Sequence, residues 1–160
     1  MTALNAIRAV DSVITLRARE KVQRLEDAMC MIPQVDCPMR HHFAPGVYLR
    51  EMTIPAGTVV TGAVHRTENL VIVSAGRVRF LTDDGVKDAV SGDVITCKPG
   101  MKNAVVTLED SRWTNVYPNP DNITDPDILI ELFTESKASD LMGGSTNKQL
   151  AANKAAQLEH

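Results

Sequence analysis

The sequence lacks the signals of a membrane, secreted or nucleic-acid-binding protein. No apolar run approaches the roughly 20 residues that a membrane-spanning helix needs. The opening segment, MTALNAIRAVDSV, has an arginine and an aspartate where a signal peptide has its apolar stretch. There is no run of lysines and arginines, and the net charge of −3 gives no electrostatic reason to expect nucleic acid or an anionic membrane as partner. We therefore expect a cytoplasmic protein that binds neither.

Cysteine is scarce, and its spacing excludes the usual cysteine frameworks. Cys30, Cys37 and Cys97 are odd in number and far apart, so they predict neither a disulfide network nor a CxxC metal pair. We expect reduced and mostly buried thiols. Signatures of nucleotide binding and of nucleophilic catalysis are also missing, since the chain has no glycine-rich phosphate loop and no Gly-x-Ser-x-Gly elbow.

The 160 residues are enough for one domain with a sizeable core, and they divide into three stretches. Residues 1–46 hold a helix and a lead-in segment, and residues 47–135 are β-rich. Residues 136–160 are small, polar and free of aromatics, which predicts a flexible tail. The final residues, Leu158-Glu159-His160, resemble the start of a purification tag and are excluded from the site.

An amphipathic helix is predicted from about Ser12 to Ile32, and Pro33 ends it. Its apolar residues recur at spacings of three and four, which places them on one face. That stripe must pack on the sheet of its own subunit or on a partner, and the first is favoured for a single amphipathic helix. The stripe consists of Ala18, Val22, Leu25, Met29 and Ile32. The charged residues assigned to the remaining faces are Arg17, Arg19, Glu20, Lys21, Arg24, Glu26 and Asp27.

The middle stretch predicts eight short strands separated by turn residues. Turn formers such as Pro99-Gly100 and Asp83-Asp84-Gly85 stand between segments rich in β-branched and apolar residues. Short strands at this spacing, with no helix between them, predict an antiparallel sandwich or small barrel. The predicted strands are VYLREMTI, TVVTGAV, NLVIVSA, RVRFLT, DVITC, AVVTL, RWTNVY and DILIELF.

Two blocks within these strands resemble the motifs of the cupin family. The first, GTVVTGAVHRTENLVIVSAG, keeps the family's framing glycines at Gly57 and Gly76, and the second, GDVITCKPGMKN, keeps Gly92 and Gly100. The resemblance implies a cupin-type antiparallel β-barrel, or jelly roll. More narrowly, RHHFAPGVYLREMTIPAGTVVTGAVHRTEN, KPGMKN and EDSRWT resemble cupin-like proteins encoded by bacteriophages and prophages.

The metal-ligand positions of the cupin motifs are mostly replaced in this chain. They fall on Ala63, His65, Asn69 and Asn103, where the motifs have two histidines, a glutamate and a histidine. A catalytic metal generally needs three or more imidazole, carboxylate or thiolate ligands, and this set supplies one imidazole, two amides and a methyl group. We therefore expect no cofactor. A divalent metal would need further ligands, for which the candidates are His41, His42 and Glu68.

A polar pocket is the expected use of these residues. Because a strand alternates its side chains, His65 and Asn69 can face the barrel interior, where Asn103 would arrive from the second block. The two amides can pair with the imidazole, since each supplies donors and an acceptor. Tyr117 could present its hydroxyl to the same interior. Two charged residues are expected either as solvated surface groups or as a pair at the barrel mouth: Glu68 and Lys102.

Three functions are open at this point. The leading one is a non-enzymatic cupin-like binding or structural module of phage or prophage type, with a small-molecule ligand in the polar pocket. The alternatives are a metal-dependent cupin enzyme, such as an oxygenase or isomerase, and a metal-free sugar-nucleotide isomerase or epimerase with His65 as base and Tyr117 as acid. The helix stripe and exposed strand edges favour a homo-oligomer, most simply a two-fold dimer. Association with a virion stays open.

Overall fold

Two antiparallel β-sheets form the body of the protein. The computed structural model describes residues 17–82 and 85–137, so the start of the predicted helix, most of the predicted tail and the tag-like residues lie outside the described residues. Helix α1 covers residues 17–29, and helix α2 covers Pro126–Phe133. The strands are β1 (Met39–Ala44), β2 (Gly46–Ile54), β3 (Val59–Thr61), β4 (Asn69–Ala75), β5 (Arg77–Thr82), β6 (Gly85–Val90), β7 (Val94–Cys97), β8 (Ala104–Thr107) and β9 (Ser111–Asn119).

Strands β2 to β9 are arranged as a jelly roll. One sheet has the order β1-β2-β9-β4-β7, and the other has the order β3-β8-β5-β6. All pairings between these strands are antiparallel. Eight strands that alternate in this way between two packed sheets make a jelly roll, with β1 added at one edge. The prediction of a mainly β, antiparallel fold is therefore confirmed.

The segment DILIELF is helix α2, so its prediction as a strand is wrong. Asp125 caps the helix, because its side chain accepts a hydrogen bond from the Asp127 amide at 2.9 Å, and Pro126 occupies the first turn. Leu129 and Phe133, one turn apart, are buried. The cap and the proline at the helix start outweigh the β propensity of the two isoleucines.

Strands β1 and β6 were not predicted, and β3 is shorter than TVVTGAV. Both missed strands are polar in sequence, MRHHFA and GVKDAV, so neither shows the apolar enrichment of a buried strand. Strand β1 lies at a sheet edge and pairs along its length with β2, and β6 lies at the edge of the second sheet. Edge strands are commonly polar because one side faces solvent.

Helix α1 packs on the sheets of its own chain, through a face that includes Val22 of the predicted stripe but is turned toward Glu26 and Cys30. Val22 and Cys30 are buried, and Glu26 lies between them on the same face. Two members of the predicted stripe, Leu25 and Ile32, are instead 39% and 60% exposed. Neither α1 nor α2, as far as each is described, has the length and hydropathy of a membrane-spanning segment.

Within the described part of the chain, the hydrophobic core forms two separate clusters. The larger one lies between the sheets and contains Trp113, which meets Phe80 edge to face with ring centroids 6.2 Å apart. The smaller one lies against α2 and consists of Tyr48, Tyr117, Leu129 and Phe133.

The register of β2 and β9 explains why the two clusters are separate. Alternate residues of each strand face the interior, and one of these inward pairs is polar. This polar pair stands between an aromatic pair and an apolar pair, so it divides the core into layers. The inward pairs, in order along the strands, are Tyr48 with Tyr117, Arg50 with Asn115, and Met52 with Trp113.

Replacement of Gly76 by alanine is expected to destabilise the jelly roll more than replacement of Gly57. Both glycines have positive φ, +78° and +73°, so each alanine pays about 1–2 kcal/mol of backbone strain. A Cβ at position 76 would also lie 2.8 Å from Ser111 Cα, and closer to the Asp110 carbonyl oxygen, whereas none of the described atoms comes within 4 Å of a Cβ at position 57. Overpacking adds about 1–3 kcal/mol. Urea unfolding of both variants measures the difference, and equal losses would contradict the tight β4–β5 turn.

Candidate functional site

A cavity of about 500 Å³ lies between the two sheets. Its walls come from α1 and the segment that follows it, from β2, β3 and β9, and from α2. The volume is that of a typical small-molecule pocket, which is mostly apolar with a few placed polar groups. The lining fits that description, since side chains such as Met29, Met52, Ile54, Val60 and Trp113 form most of it.

One layer of the cavity wall is polar. It includes three residues that the sequence analysis selected, His65, Asn103 and Tyr117, and each of the three is buried. The structure adds Arg50 and Asn115 from the inward pair of β2 and β9. The layer stands between the two hydrophobic clusters, so the polar groups are placed inside the protein and not at its surface.

Asn69 lies behind His65 and fixes the orientation of its ring. Asn115 Nδ2 donates to Asn69 Oδ1 at 3.1 Å, and Asn69 Nδ2 donates to His65 Nδ1 at 3.0 Å. Because Nδ1 accepts a hydrogen bond, the proton of the neutral ring is on Nε2. Asn69 is itself buried at 3% exposure and is outside the cavity lining, so its role is to position the imidazole.

The environment keeps the His65 imidazole neutral. Burial, and to a lesser degree the positive charge of Arg50, lowers the pKa of His65 to about 4. The backbone holds the residue on two sides, because the His65 amide donates to the Met101 carbonyl at 3.1 Å and its carbonyl accepts from the Gly100 amide at 2.7 Å. A bridge to Thr134, next to α2, completes the support. At neutral pH the ring is therefore a fixed, uncharged donor and acceptor.

Asn103 has an acceptor that the described part of the chain leaves unsatisfied. Its Nδ2 donates to Cys97 Sγ at 3.3 Å, while its Oδ1 is buried and has no hydrogen-bond partner among the described residues. Asn103 is only 6% exposed. An unmade hydrogen bond of a buried group costs about 1–3 kcal/mol, and a donor that reached this oxygen would recover that energy.

Arg50 is a residue of the cavity wall that was not predicted from the sequence. It lies on the inward face of β2 between Tyr48 and Met52, and it lines the cavity. Its positive charge contributes, after burial, to the lowered pKa of His65 and of His41. The signal was present in VYLREMTI, because strict alternation puts the arginine on the same face as the tyrosine and methionine that form the core.

Besides Asn69, two further predicted site residues lie outside the cavity lining, Glu68 and Lys102. Glu68 is exposed and is absent from the lining. Lys102 is buried at 8% exposure, and its ammonium donates to Glu26 Oε2 at 2.7 Å and to the Gly62 carbonyl at 2.8 Å. The expectations that Lys102 is solvated, or paired with Glu68, are therefore both wrong. Glu26, assigned from sequence to the solvated side of α1, also accepts from Thr61 Oγ1 at 2.9 Å.

The metal site that the cupin resemblance implies does not fit these side chains. The polar side chains at the motif positions are already hydrogen-bonded within the protein. Asn69 donates to His65, and Asn103 donates to Cys97. His65 Nδ1 accepts from the Asn69 amide, and amide nitrogens are not metal ligands. Within residues 17–82 and 85–137, no three His, Cys, Asp or Glu side chains come together as a metal-binding group. The motif positions of this chain form a hydrogen-bonded polar layer.

The two histidines of β1 do not complete a metal site with His65. The Cα partner of His42 is Leu49 and that of His41 is Arg50, so the two side chains face opposite sides of the sheet. His41 faces inward, and its Nδ1 is hydrogen-bonded to the Tyr48 hydroxyl at 2.8 Å. A row of rings, with successive centroids 5.9, 5.8 and 6.5 Å apart, separates the two inward imidazoles. The row runs through His41, Tyr48, Tyr117 and His65.

The three cysteines agree with the prediction of reduced, buried thiols. Cys30, Cys37 and Cys97 are all buried and none is in a disulfide. Burial raises the pKa of Cys97, and the hydrogen bond from Asn103 opposes this only in part. A protonated thiol is a poor nucleophile and a poor metal ligand.

Fold and cavity together define the class: a jelly-roll protein with an amphipathic interior pocket of small-molecule size. No protein-family model matches the chain, and no curated protein matches its sequence.

Solved structures that resemble this chain include cupin superfamily proteins. A cupin superfamily protein from Desulfitobacterium hafniense is 14% identical, with a TM-score of 0.43 over 54% of this chain and 83% of that one. A cupin-2 domain containing protein from Shewanella frigidimarina is 14% identical, with a TM-score of 0.44 over 59% and 92%. The oxalate decarboxylase of Lactobacillus farciminis, solved as a formate complex, is 16% identical, with a TM-score of 0.47 over 64% and 38%. Likenesses of this strength carry no argument about function.

Proposed function

We propose that the protein is a non-enzymatic binding module that holds a small organic molecule in the cavity between its sheets. The observation that carries this proposal is Asn103, a residue of the cavity wall whose buried Oδ1 has no hydrogen-bond partner among the described residues. Buried polar groups in a protein core are normally hydrogen-bonded, and a hydrogen-bond donor of a ligand would provide the partner that Asn103 Oδ1 lacks. The apolar remainder of the lining supplies the contact area for binding.

The chemistry of the polar layer favours binding over acid–base catalysis. A general base works best when its pKa lies near the operating pH, and the pKa of His65 is lowered to about 4. Tyr117 would have to act as the acid of an isomerase or epimerase, but burial raises its pKa. Their ring centroids are 6.5 Å apart. The imidazole is a weak base and the phenol a weak acid. This supports a role for His65 and Tyr117 in hydrogen bonding to a ligand rather than in proton transfer.

The fluorescence of Trp113 provides a direct binding assay. It is the only tryptophan of the chain, and it lines the cavity. We expect a panel of small amphipathic compounds, each with an apolar body and one or two polar groups, to include members that change this fluorescence saturably and raise the melting temperature. Both signals should follow the same dissociation constant.

The variant Asn103→Leu is the matched test of the polar layer. It should weaken a ligand that donates a hydrogen bond about 10-fold or more, since one hydrogen bond to a neutral partner plus lost fit is worth about 1.4 kcal/mol. The control variant Gln23→Leu replaces an exposed side-chain amide of α1 that is absent from the cavity lining, and it should leave binding unchanged. A panel without any saturable binder, or binding unaffected by Asn103→Leu, would contradict a ligand site at this layer.

The dimer and the phage or prophage origin remain predictions from the sequence. A module that carries a small ligand fits either a free cytoplasmic protein or a virion component. Light scattering on the purified protein decides between one and two copies, and the expected result is twice the chain mass of 17.5 kDa.

A further inference from the structure

We propose, building on the binding function above, that the ligand is an uncharged carbonyl compound whose oxygen accepts hydrogen bonds from Tyr117 and His65. Both residues line the cavity, and each keeps a polar atom that none of the described residues engages. The apolar body of the ligand fills the rest of the cavity.

The hydroxyl is the part of Tyr117 that is left to face the cavity. Tyr48 and Phe133 stack on the ring of Tyr117, with centroids 5.8 and 4.6 Å away and interplanar angles of 18° and 13°. Tyr117 is only 4% exposed, and within residues 17–82 and 85–137 its hydroxyl has no hydrogen-bond partner. Because buried hydroxyls normally have such a partner, a ligand in the cavity would supply it.

Tyr48 provides the contrast on the neighbouring strand. It is the Cα partner of Tyr117 across β2 and β9, and it is also buried. Its hydroxyl, however, is hydrogen-bonded to His41 Nδ1 at 2.8 Å. One of the two buried phenols is therefore satisfied inside the protein, and the other is left for a partner in the cavity.

His65 adds a second donor on the same wall. Its Nδ1 accepts from Asn69, which lies outside the cavity lining, so the Nε2–H of the neutral ring is directed away from Asn69. No group of the described chain pairs with that Nε2–H. The ring centroids of His65 and Tyr117 are 6.5 Å apart. An oxygen with hydrogen bonds of about 2.8–3.0 Å bridges donors up to about 6 Å apart, so one carbonyl can engage both.

Two neutral donors suit an uncharged acceptor. Both groups stay neutral, since burial lowers the pKa of His65 and raises that of Tyr117. A neutral carbonyl loses far less free energy than an ion does when it leaves water for a largely apolar cavity. A primary amide is the carbonyl compound that fits the whole polar layer, because its N–H groups also match the acceptor Asn103 Oδ1.

Matched probes isolate the carbonyl. They are 4-phenylbutan-2-one and butylbenzene, which differ only by a carbonyl in place of a methylene, and each is titrated against Trp113 fluorescence. Because the hydrocarbon leaves water more readily, each probe is compared between proteins and not with the other probe. In Tyr117→Phe we expect the ketone to bind about 10-fold more weakly, and butylbenzene to bind within about 2-fold of wild type.

Tyr48→Phe is the matched control. It removes a phenol hydroxyl that is already paired with His41, so ketone binding should stay within about 2-fold of wild type. Circular dichroism establishes that both variants are folded.

The infrared spectrum of the bound ketone tests the wild-type protein without any substitution. A carbonyl that accepts hydrogen bonds absorbs at a lower frequency than the same carbonyl in an alkane. We expect the stretch of bound 4-phenylbutan-2-one to be lowered in this way, and to return part of the way to the alkane value in Tyr117→Phe.

The outcomes separate the ligand class from the binding function. A bound ketone that absorbs at its alkane frequency, ketone binding that Tyr117→Phe leaves unchanged, or a ketone that does not bind while other members of the panel do, would each overturn the carbonyl class and leave the cavity as a binding site. Failure of both probes and of the whole panel would overturn both proposals. A lowered stretch, with a loss of ketone binding in Tyr117→Phe that Tyr48→Phe does not share, supports both.

Discussion

The variant Lys102→Met is expected to lose about 3 kcal/mol of stability, because it removes one partner of a largely buried ion pair. The side chain of Lys102 is 5% exposed and that of Glu26 is 23% exposed, and the two are 2.7 Å apart. Without the ammonium, the Glu26 carboxylate loses its charged partner and keeps neutral donors, the Thr61 hydroxyl at 2.9 Å and the Gln23 side-chain amide at 3.2 Å. The urea midpoint of unfolding measures the loss.

The double variant Glu26→Met, Lys102→Met is the matched control. Replacing both members of a buried pair by apolar side chains of similar size is often close to neutral, so this protein should recover most of the lost stability. Hydrogen exchange should show faster exchange of the α1 amides in the single variant than in the double one. A single variant that unfolds at the wild-type urea concentration would mean that the pair does not hold α1 over the cavity.

The stability of the folded state should fall by about 3 kcal/mol between pH 7 and pH 4 through His65 alone. The pKa of this histidine is about 4 in the folded protein against 6.5 as its ordinary value. Below pH 6.5 the imidazole therefore binds a proton in the unfolded chain but not in the folded protein. The contribution of His65 to the free energy of unfolding is fully present above pH 6.5 and is lost as the pH falls towards 4. Urea unfolding across this range measures the decline.

The variant His65→Gln isolates that contribution from the titration of carboxylates elsewhere. Glutamine can still accept the hydrogen bond from Asn69 and does not titrate, so the variant should lose less stability than the wild type between pH 7 and pH 4. Nuclear magnetic resonance of the imidazole should in addition find Nε2 protonated at pH 7. Parallel pH profiles for the two proteins would show that His65 is not held neutral by its surroundings.

Much of the fold could be predicted from the sequence because its turns are local signals. The glycines of the two motif blocks sit at real turns, and Gly57, Gly76, Gly92 and Gly100 all have positive φ. Helix α2 could have been recognised from Asp125-Pro126, a capping residue followed by a proline at the first helical position. Strands β1 and β6 had no such signal, because polar edge strands are stabilised by pairing that the sequence does not display.

The predicted residues that line the cavity are those at aligned motif positions and Tyr117, which follows from strand alternation. His65 and Asn103 follow from the cupin frame, and the structure places both at the cavity. Arg50 and Glu26 were not predicted at the site because their roles depend on contacts between elements that are distant in the sequence. An arginine in a strand and a glutamate on a helix are usually solvated, and only the packing of α1 on the barrel reveals the partner of Glu26.

A crystal structure with the tightest binder of the panel tests most directly whether the interior of this jelly roll is a small-molecule site. The predicted result is electron density for the compound between β2 and β9, with a polar atom within hydrogen-bonding distance of Asn103 Oδ1. A metal ion coordinated by His65, or a cavity closed by the protein's own side chains with the compound bound elsewhere, would contradict it.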